Sequence, residues 1–296
     1  MENLALKKEI IPIILLTYQD TQLIKPLLST IKEDKIDPRI IILDNGSTDI
    51  TWKTLNEIND SRITLIRTHE NLGYTGGINY AVKYAKDNIP DFKNFFIINP
   101  DAQCTPDLIS NLSRLLNKEK SGACISPKIL SIDRTTTYSG GLIDFKKGIV
   151  EHNVFTDKKY PNESYEVDSY SGCAVLFDVD KFIKAGMLNE HLFIYYDEAD
   201  SSIKLKQNHC KILYAPSLEV YHDTSYTMRK VSFLKTYYMA RNKFIVFNKN
   251  MSLFNKIYYV AFETAYHLKN KRIKNVSYLF KGVYDFMKGK TGAYKN

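Results

Sequence analysis

The side chains richest in chemistry in this sequence are carboxylates placed just after apolar runs. Asp44 follows III-Leu in IIILDNGSTD (residues 40–49), and Asp101 follows FFII in FFIINPDA (residues 95–102). Asp197, Glu198 and Asp200 follow the aromatic run of LFIYYDEADSSIKLK (residues 192–206). A carboxylate facing a pocket can take the proton of a hydroxyl nucleophile, and Asp197 and Glu198 are the candidates for that general base. Asp200 reads as structural. Asp101, in Asn99-Pro100-Asp101, can hold Mg2+ or Mn2+ when a bound diphosphate supplies further oxygens, and such an ion neutralises a departing nucleoside diphosphate. His222, which ends LEVYH, is a candidate metal ligand or phosphate contact. Asp44 can accept the imide N–H of uracil or thymine, which cytosine lacks. Guanine also offers N–H donors, so one carboxylate leaves the base open.

Each residue also has a plainer reading. Asn45-Gly46 makes a turn, with Ser47 or Asp49 capping the next helix. Acids in a first helical turn answer the helix dipole. Asn-Pro-Asp is a common turn, and a lone histidine is more often satisfied structurally. In NLGYTGGIN (residues 71–79), Gly73, Gly76 and Gly77 let backbone approach a ligand at a helix N-terminus, where free N–H groups favour phosphate. Their spacing is not the GxGxxG dinucleotide fingerprint.

These loops need a scaffold that delivers them to one edge. Apolar runs predict strands at 11–17, 39–44, 62–67, 94–98 and 122–126, alternating with helices at 20–33, 49–59, 76–87 and 106–118. Such alternation makes βαβ units around a mostly parallel sheet, whose ligands bind at the C-terminal strand ends. Thr105, Pro106 and Asp107 make a conventional helix start. Residues 133–168 are turn-rich and predict a loop with short strands over the sheet. A strand (173–177), two helices (179–185 and 197–207) and a strand (211–214) follow, and beyond His222 the pattern is helical.

At 296 residues, 44% hydrophobic and 25% charged, the chain has an ordinary globular composition. No apolar run reaches membrane-spanning length and no cleavable signal pattern opens the chain; IIPIILL (residues 10–16) reads as a buried first strand. Four cysteines without a CxxC pair argue against a disulfide framework or zinc site and fit a reducing cytoplasm. The net charge of +8 is unevenly spread. Residues 227–296 hold 15 lysines and arginines against Glu263 and Asp285, whereas the first 226 residues hold 26 against 31 acids. That basic tail is also rich in aromatics, a combination suited to an anionic membrane surface. Nucleic acid is the competing partner, and a helical subdomain with inward aromatics is the plainer alternative.

Taken in order, the segments DNGSTD, NLGYTGGIN, NPDA, SGCAVLF, YYDEAD, VYH, YYMARN and KGVYDFMKGKTG resemble the family 2 glycosyltransferases, especially their bacterial rhamnosyltransferase-like branch. The resemblance implies an α/β GT-A-type nucleotide-diphospho-sugar transferase fold, with a mostly parallel central sheet flanked by helices and a C-terminal helical extension. It implies a catalytic domain over 1–226 and a basic, aromatic, membrane-facing region over 227–296. Thr17, Tyr18 and Asp44 then carry over as base contacts, with Asn71, Gly73, Gly76, Asn79 and Asn99 completing the nucleotide-sugar site. The family's DxD metal motif falls on Asn99-Pro100-Asp101, leaving Asp101 as its carboxylate, with His222 a second ligand for Mg2+ or Mn2+. The family's usual Glu-Asp pair is inverted, so Glu198 corresponds to the base, with Asp197 the fallback. Lys204 stands where an arginine is common, a single-point cation in place of a fork.

The implied reaction is inverting transfer of a hexose, with a lean to rhamnose, from a UDP- or dTDP-linked donor. The acceptor is a saccharide or lipid-linked saccharide, at the inner face of the cell membrane, with no nucleic acid involved. Sugar, linkage and oligomeric state are not fixed by these residues. A sugar-phosphate nucleotidyltransferase is the first rival, but such enzymes resemble one another in a glycine-rich loop after strand one, where this chain has LLTYQDTQ. The second rival is a non-catalytic membrane- or nucleic-acid-binding protein on the same fold, in which Asp101 and Glu198 would be dispensable.

Overall fold

In the computed structural model, which describes residues 8–33, 35–155, 163–223 and 233–295, the predicted apolar runs lie side by side. β1 (Glu9–Thr17), β2 (Ile36–Asp44), β3 (Ile63–Arg67) and β4 (Asn94–Ile98) are parallel, in the order β3-β2-β1-β4. Both faces of these strands are covered, which is why they read as continuous rather than alternating apolar runs. Ile13, Ile14, Leu15 and Ile40 to Leu43 are wholly inaccessible. The register sets Thr17 opposite Asp44, and Asp44 opposite Arg67, so three polar side chains leave the sheet at one edge.

Four helices connect this half: α1 (Ile24–Thr30), α2 (Asp49–Asn56), α3 (Gly73–Asn88) and α4 (Leu108–Lys118). Two expectations about their starts need correction. Thr48, not Ser47 or Asp49, precedes α2, and it makes no side-chain cap. The Ser47 hydroxyl instead accepts the Gln19 amide at 2.7 Å. Asp107 precedes α4 in a left-handed conformation and caps nothing; the carboxylate of Glu33 accepts the amides of Ile109 and Ser110 at 2.7 and 3.2 Å. A cap brought in from so far along the chain leaves no local signal.

Beyond β4 the sheet changes character. β11 (Ala174–Asp178) runs antiparallel between β4 and β6 (Gly122–Ser131), and β12 (Lys211–His222) lies parallel to β6. β10 (Tyr165–Val167) edges β12, β5 (Ala102–Cys104) pairs with its far end, and β7 (Thr136–Tyr138) pairs with β6. β8 (Leu142–Asp144) and β9 (Ile149–Glu151) form a separate hairpin over the sheet. The parallel half carries the first loops, and the mixed half carries the later ones. β12 outruns its predicted span because a register shift between Ala215 and Glu219 absorbs Pro216 and lets pairing resume. It ends with His222 opposite Ala102 of β5.

α5 (Val179–Lys184) and α6 (Asp197–Gln207) complete the body, followed by α7 (Phe233–Phe247), α8 (Leu253–Lys269) and α9 (Ile273–Met287). α7 packs on α9 and against the body, with Tyr237, Ala240, Arg241, Asn242 and Phe247 buried. The expected boundary between residues 226 and 227 lies outside the described residues. Among the described residues, no helix is long and apolar enough to cross a membrane.

Candidate active site

The acid pair sits at the start of α6, behind a strained loop. Phe193, Tyr195 and Tyr196 all adopt positive φ (67°, 68° and 64°), a region that bulky side chains rarely occupy. Two side chains of α7 hold them there. Asn242 donates its amide to the carbonyls of Leu192, Ile194 and Tyr195 at 2.9, 2.8 and 3.0 Å. Arg241 donates to Asn242 Oδ1 at 3.0 Å, to Leu192 O at 3.0 Å and to Gly292 O at 2.7 Å. Both residues are fully buried, and apart from the Arg241 bonds to Asn242 and Tyr237 their donors are spent on the loop or the C-terminal segment. The strain is offset by these bonds, as expected where backbone conformation is held for a task.

On its other side the same loop rests on α3. The Thr75 amide donates to Phe193 O at 3.2 Å, and a Cβ at Gly73 would lie 2.4 Å from that oxygen and 2.5 Å from the Phe193 ring. Gly73, expected to admit a ligand, therefore admits this loop instead, whereas a Cβ at Gly76 would meet Leu72 and one at Gly77 would meet Leu16. Gly73 and Gly76 are buried against protein. Asn79 also turns inward: its amide donates to Leu188 O and Glu190, both at 2.9 Å, and its Oδ1 accepts the Leu188 amide. Asn71 turns inward too, its Oδ1 accepting the Gly73 amide at 2.8 Å. These residues shape the site from behind.

Glu198 and Asp197 open into a cavity of about 570 Å3, with Asn99, Tyr74, Gly172, Tyr195 and His222 also on its walls. The Gly172 amide donates to Glu198 Oε1 at 2.7 Å, and Oε2 has no hydrogen-bond partner among the described residues. Asp197 is nearly inaccessible; burial, with the charge of Glu198 beside it, pushes its carboxyl up to about 8. Asp200 takes the structural place expected of it, 2.8 Å from Lys204 on the next turn.

His222 Nε2 lies 3.0 Å from Asp101 Oδ1, both side chains largely buried. Asn99 is anchored by its backbone amide to Cys173 O at 2.9 Å. One imidazole and one carboxylate meeting at that distance fit a small divalent cation as two of its ligands. Among the described residues, no cluster of three His, Cys, Asp or Glu side chains forms, so a diphosphate would have to supply the other donors.

The first strand ends lie apart from that cavity. Asp44 is fully buried; Oδ1 accepts the Ser47 amide at 3.1 Å and Oδ2 lies 3.1 Å from Arg67 Nε. Its carboxylate is thus already engaged, and the guanidinium over it, 5.5 Å from the Trp52 ring centre, is the group that faces outward. Thr17 bonds the Asp20 carbonyl, and Tyr18 is exposed. Sequence reasoning did not pick out Arg67, Gly172, Arg241 or Asn242 as functional. The last three lay within quoted motifs, SGCAVLF and YYMARN, without a role.

Comparison with known proteins agrees with this arrangement. Residues 13–186 match the profile of Glycosyl transferase family 2. The chain is 24% identical to the low-salt glycan biosynthesis hexosyltransferase Agl10 of Haloferax volcanii, over 82% of this chain and 76% of that one. It is 23% identical to the N-acetylglucosaminyl-diphospho-decaprenol L-rhamnosyltransferase of Mycobacterium tuberculosis, over 74% of this chain and 78% of that one. Among solved structures, the mannosyltransferase PcManGT of Pyrobaculum calidifontis, in complex with GDP-Man and Mn2+, superposes with a TM-score of 0.58. Its identity to this chain is 13%, over 97% of this chain and 89% of that one. GalNAc-T7 with UDP, GalNAc and Mn2+ gives a TM-score of 0.61 at 13% identity, over 74% of this chain and 44% of that one. Both are GT-A glycosyltransferase folds, and the α/β architecture here is the same. With more than half its length matched, the chain belongs to glycosyl transferase family 2.

Proposed function

We propose that the protein is an inverting hexosyltransferase that moves a sugar, rhamnose or another hexose, from a UDP- or dTDP-linked donor to a hydroxyl of a lipid-linked saccharide during assembly of a surface glycan. The observation that carries this reading is Glu198, fixed through one oxygen by Gly172 and facing the cavity that also holds Asn99 and His222. Glu198 takes the proton of the acceptor hydroxyl while that oxygen attacks the anomeric carbon. The new C–O bond forms opposite the breaking one, and the nucleoside diphosphate leaves with the bonding electrons. Configuration inverts, and no covalent sugar-enzyme intermediate is needed. Asp197, whose carboxyl burial and the neighbouring Glu198 push up to about 8, resists ionising. Mg2+ or Mn2+ would be held by Asp101 and His222, and when bound it neutralises charge on the departing diphosphate. The base end of the donor lies at Thr17, Tyr18 and Asp44, where a base reaches the carboxylate only by displacing Arg67.

The lipid-linked acceptor is supported by two relatives. One is the decaprenol-directed rhamnosyltransferase above. The other, 32% identical over 38% of this chain, is the UDP-Glc:alpha-D-GlcNAc-diphosphoundecaprenol beta-1,3-glucosyltransferase WfaP of Escherichia coli. In this reading residues 1–226 form the catalytic domain, and residues 227–296 rest on the anionic inner face of the membrane. Flotation with anionic liposomes tests that placement, since salt should release an electrostatic binder. Absence of binding at low salt would make the region a structural cap.

The donor reading is tested by thermal shift with UDP, dTDP, GDP and CMP, each with and without Mn2+. A ligand that binds only the folded state raises its apparent stability. Metal-dependent stabilisation by UDP or dTDP is expected. No response to any nucleotide would overturn the reading.

A further inference from the structure

A second cavity, of about 970 Å3, lies between α7 and α8 and shares Tyr196, Lys235 and Met239 with the cavity of Glu198. Tyr196 immediately precedes the acid pair, so the two spaces adjoin one residue from Asp197. Lys243 of α7 lines this second space while only 5% exposed. Its Nζ sits 4.2 Å from the centre of the Tyr259 ring, and it pairs with no carboxylate among the described residues. Burial pushes its ammonium down to about 8. The charge of Glu263 partly opposes that shift, but a buried cation with no carboxylate in direct contact is costly and calls for an anion to join it.

His267 of α8 lines the same cavity, also 5% exposed, with neither ring nitrogen hydrogen-bonded. Its nearest acid, Glu263, lies 3.7 Å away, beyond hydrogen-bonding distance, and that carboxylate is the one acid on the cavity wall. Lys235 and Arg272 stand at the exposed rim, so cations outnumber it. The outer wall is apolar. Phe254, Tyr258, Phe262 and Tyr266, four residues apart, form one exposed row along α8, and the first three rings stack at 6.2 and 6.0 Å. An exposed aromatic row of this length marks an interaction surface. Cations running from the buried Lys243 to the rim, beside a row of exposed aromatic rings, suit a ligand with a charged head and an oily tail.

We propose that this cavity anchors the acceptor's lipid diphosphate, with Lys243, Lys235 and Arg272 taking the phosphates and the Phe254–Tyr258–Phe262 row taking the apolar chain. The saccharide then projects past Tyr196 to Glu198. This rests on the lipid-linked acceptor proposed above. It requires no transfer to be observed, so its test separates from that of the donor site.

The test is calorimetric binding of geranylgeranyl diphosphate to the full chain with the donor site filled by UDP and Mn2+. Inorganic pyrophosphate and geranylgeraniol are titrated as separate arms. Saturable binding of the lipid diphosphate is expected, weaker for either half alone. Lys243→Met should weaken it by about tenfold or more, the loss of one charge-assisted hydrogen bond. The same change removes an unpaired buried charge, so the variant should melt no lower than the parent, and UDP stabilisation should not change. The double variant Phe254→Ser, Tyr258→Ser should weaken the lipid diphosphate and leave pyrophosphate binding as it was. No saturable binding with UDP present, or equal affinity in Lys243→Met, would overturn the proposal. So would pyrophosphate binding as tightly as the lipid diphosphate, which would mark a free-phosphate site. Failure of UDP itself to bind would strike the donor reading alone.

Discussion

The Gly172 amide donates to Glu198 Oε1 at 2.7 Å, and a Cβ at residue 172 would lie 2.6 Å from that oxygen. The loop before β11 and the first turn of α6 are therefore fitted to each other around one carboxylate. Glu198→Gln should lower kcat by about 10^2- to 10^4-fold, the usual worth of a general base, while nucleotide stabilisation survives. Gly172→Ala should also lower kcat with the donor KM unchanged, because the added methyl pushes Glu198 aside. Combining the two should be little worse than Glu198→Gln alone, since both act through the same group. Additive losses in steady-state kinetics would refute that link.

Asp101 and His222 should behave as a unit toward the metal. Asp101→Asn and His222→Ala are each expected to weaken the Mn2+-dependent part of UDP stabilisation, leaving the metal-independent part in place. The readout is the thermal shift across a Mn2+ titration at fixed UDP. A variant whose metal dependence matches the parent removes that residue from the ligand set.

The strands of the parallel half were legible because each is an unbroken apolar run ending in a polar loop, as at Ile40 to Asp44. His222 was legible as a residue but not in its place, since Pro216 hides the continuation of β12 that carries it to Asp101. The glycines of NLGYTGGIN were read for a ligand. A positive φ and a close approach look identical in sequence whether phosphate or Phe193 fills the space. Arg241 and Asn242 gave no periodic or compositional signal of their task. Their main partners are backbone carbonyls some 50 positions away in either direction, a relation visible only once the chain is folded.

Asn242 should prove a positioning residue for that reason. Asn242→Ala would strip the Ile194 and Tyr195 carbonyls of the donor they share. A buried polar group left unsatisfied costs about 1–3 kcal/mol, so urea unfolding should show a loss of that order. The strained run before Asp197 would relax, lowering kcat while UDP binding remains. A purely structural role would lower stability and leave kcat per folded molecule unchanged.

Asp197 makes stability depend on pH in an unusual direction. Its folded pKa of about 8 lies above the ordinary aspartate value, near ~3.9. Between those values the folded chain keeps a proton that the unfolded chain has released, so this group's contribution to stability falls as pH rises. The loss begins above the unfolded value and is complete only beyond the folded one. Asp197→Asn holds a neutral side chain at every pH and should remove that slope. The variant should therefore gain stability relative to the parent as pH rises from about 5 to about 8. Urea midpoints of both proteins across that window provide the measurement. A constant difference between them would mean that Asp197 is ionised throughout that window.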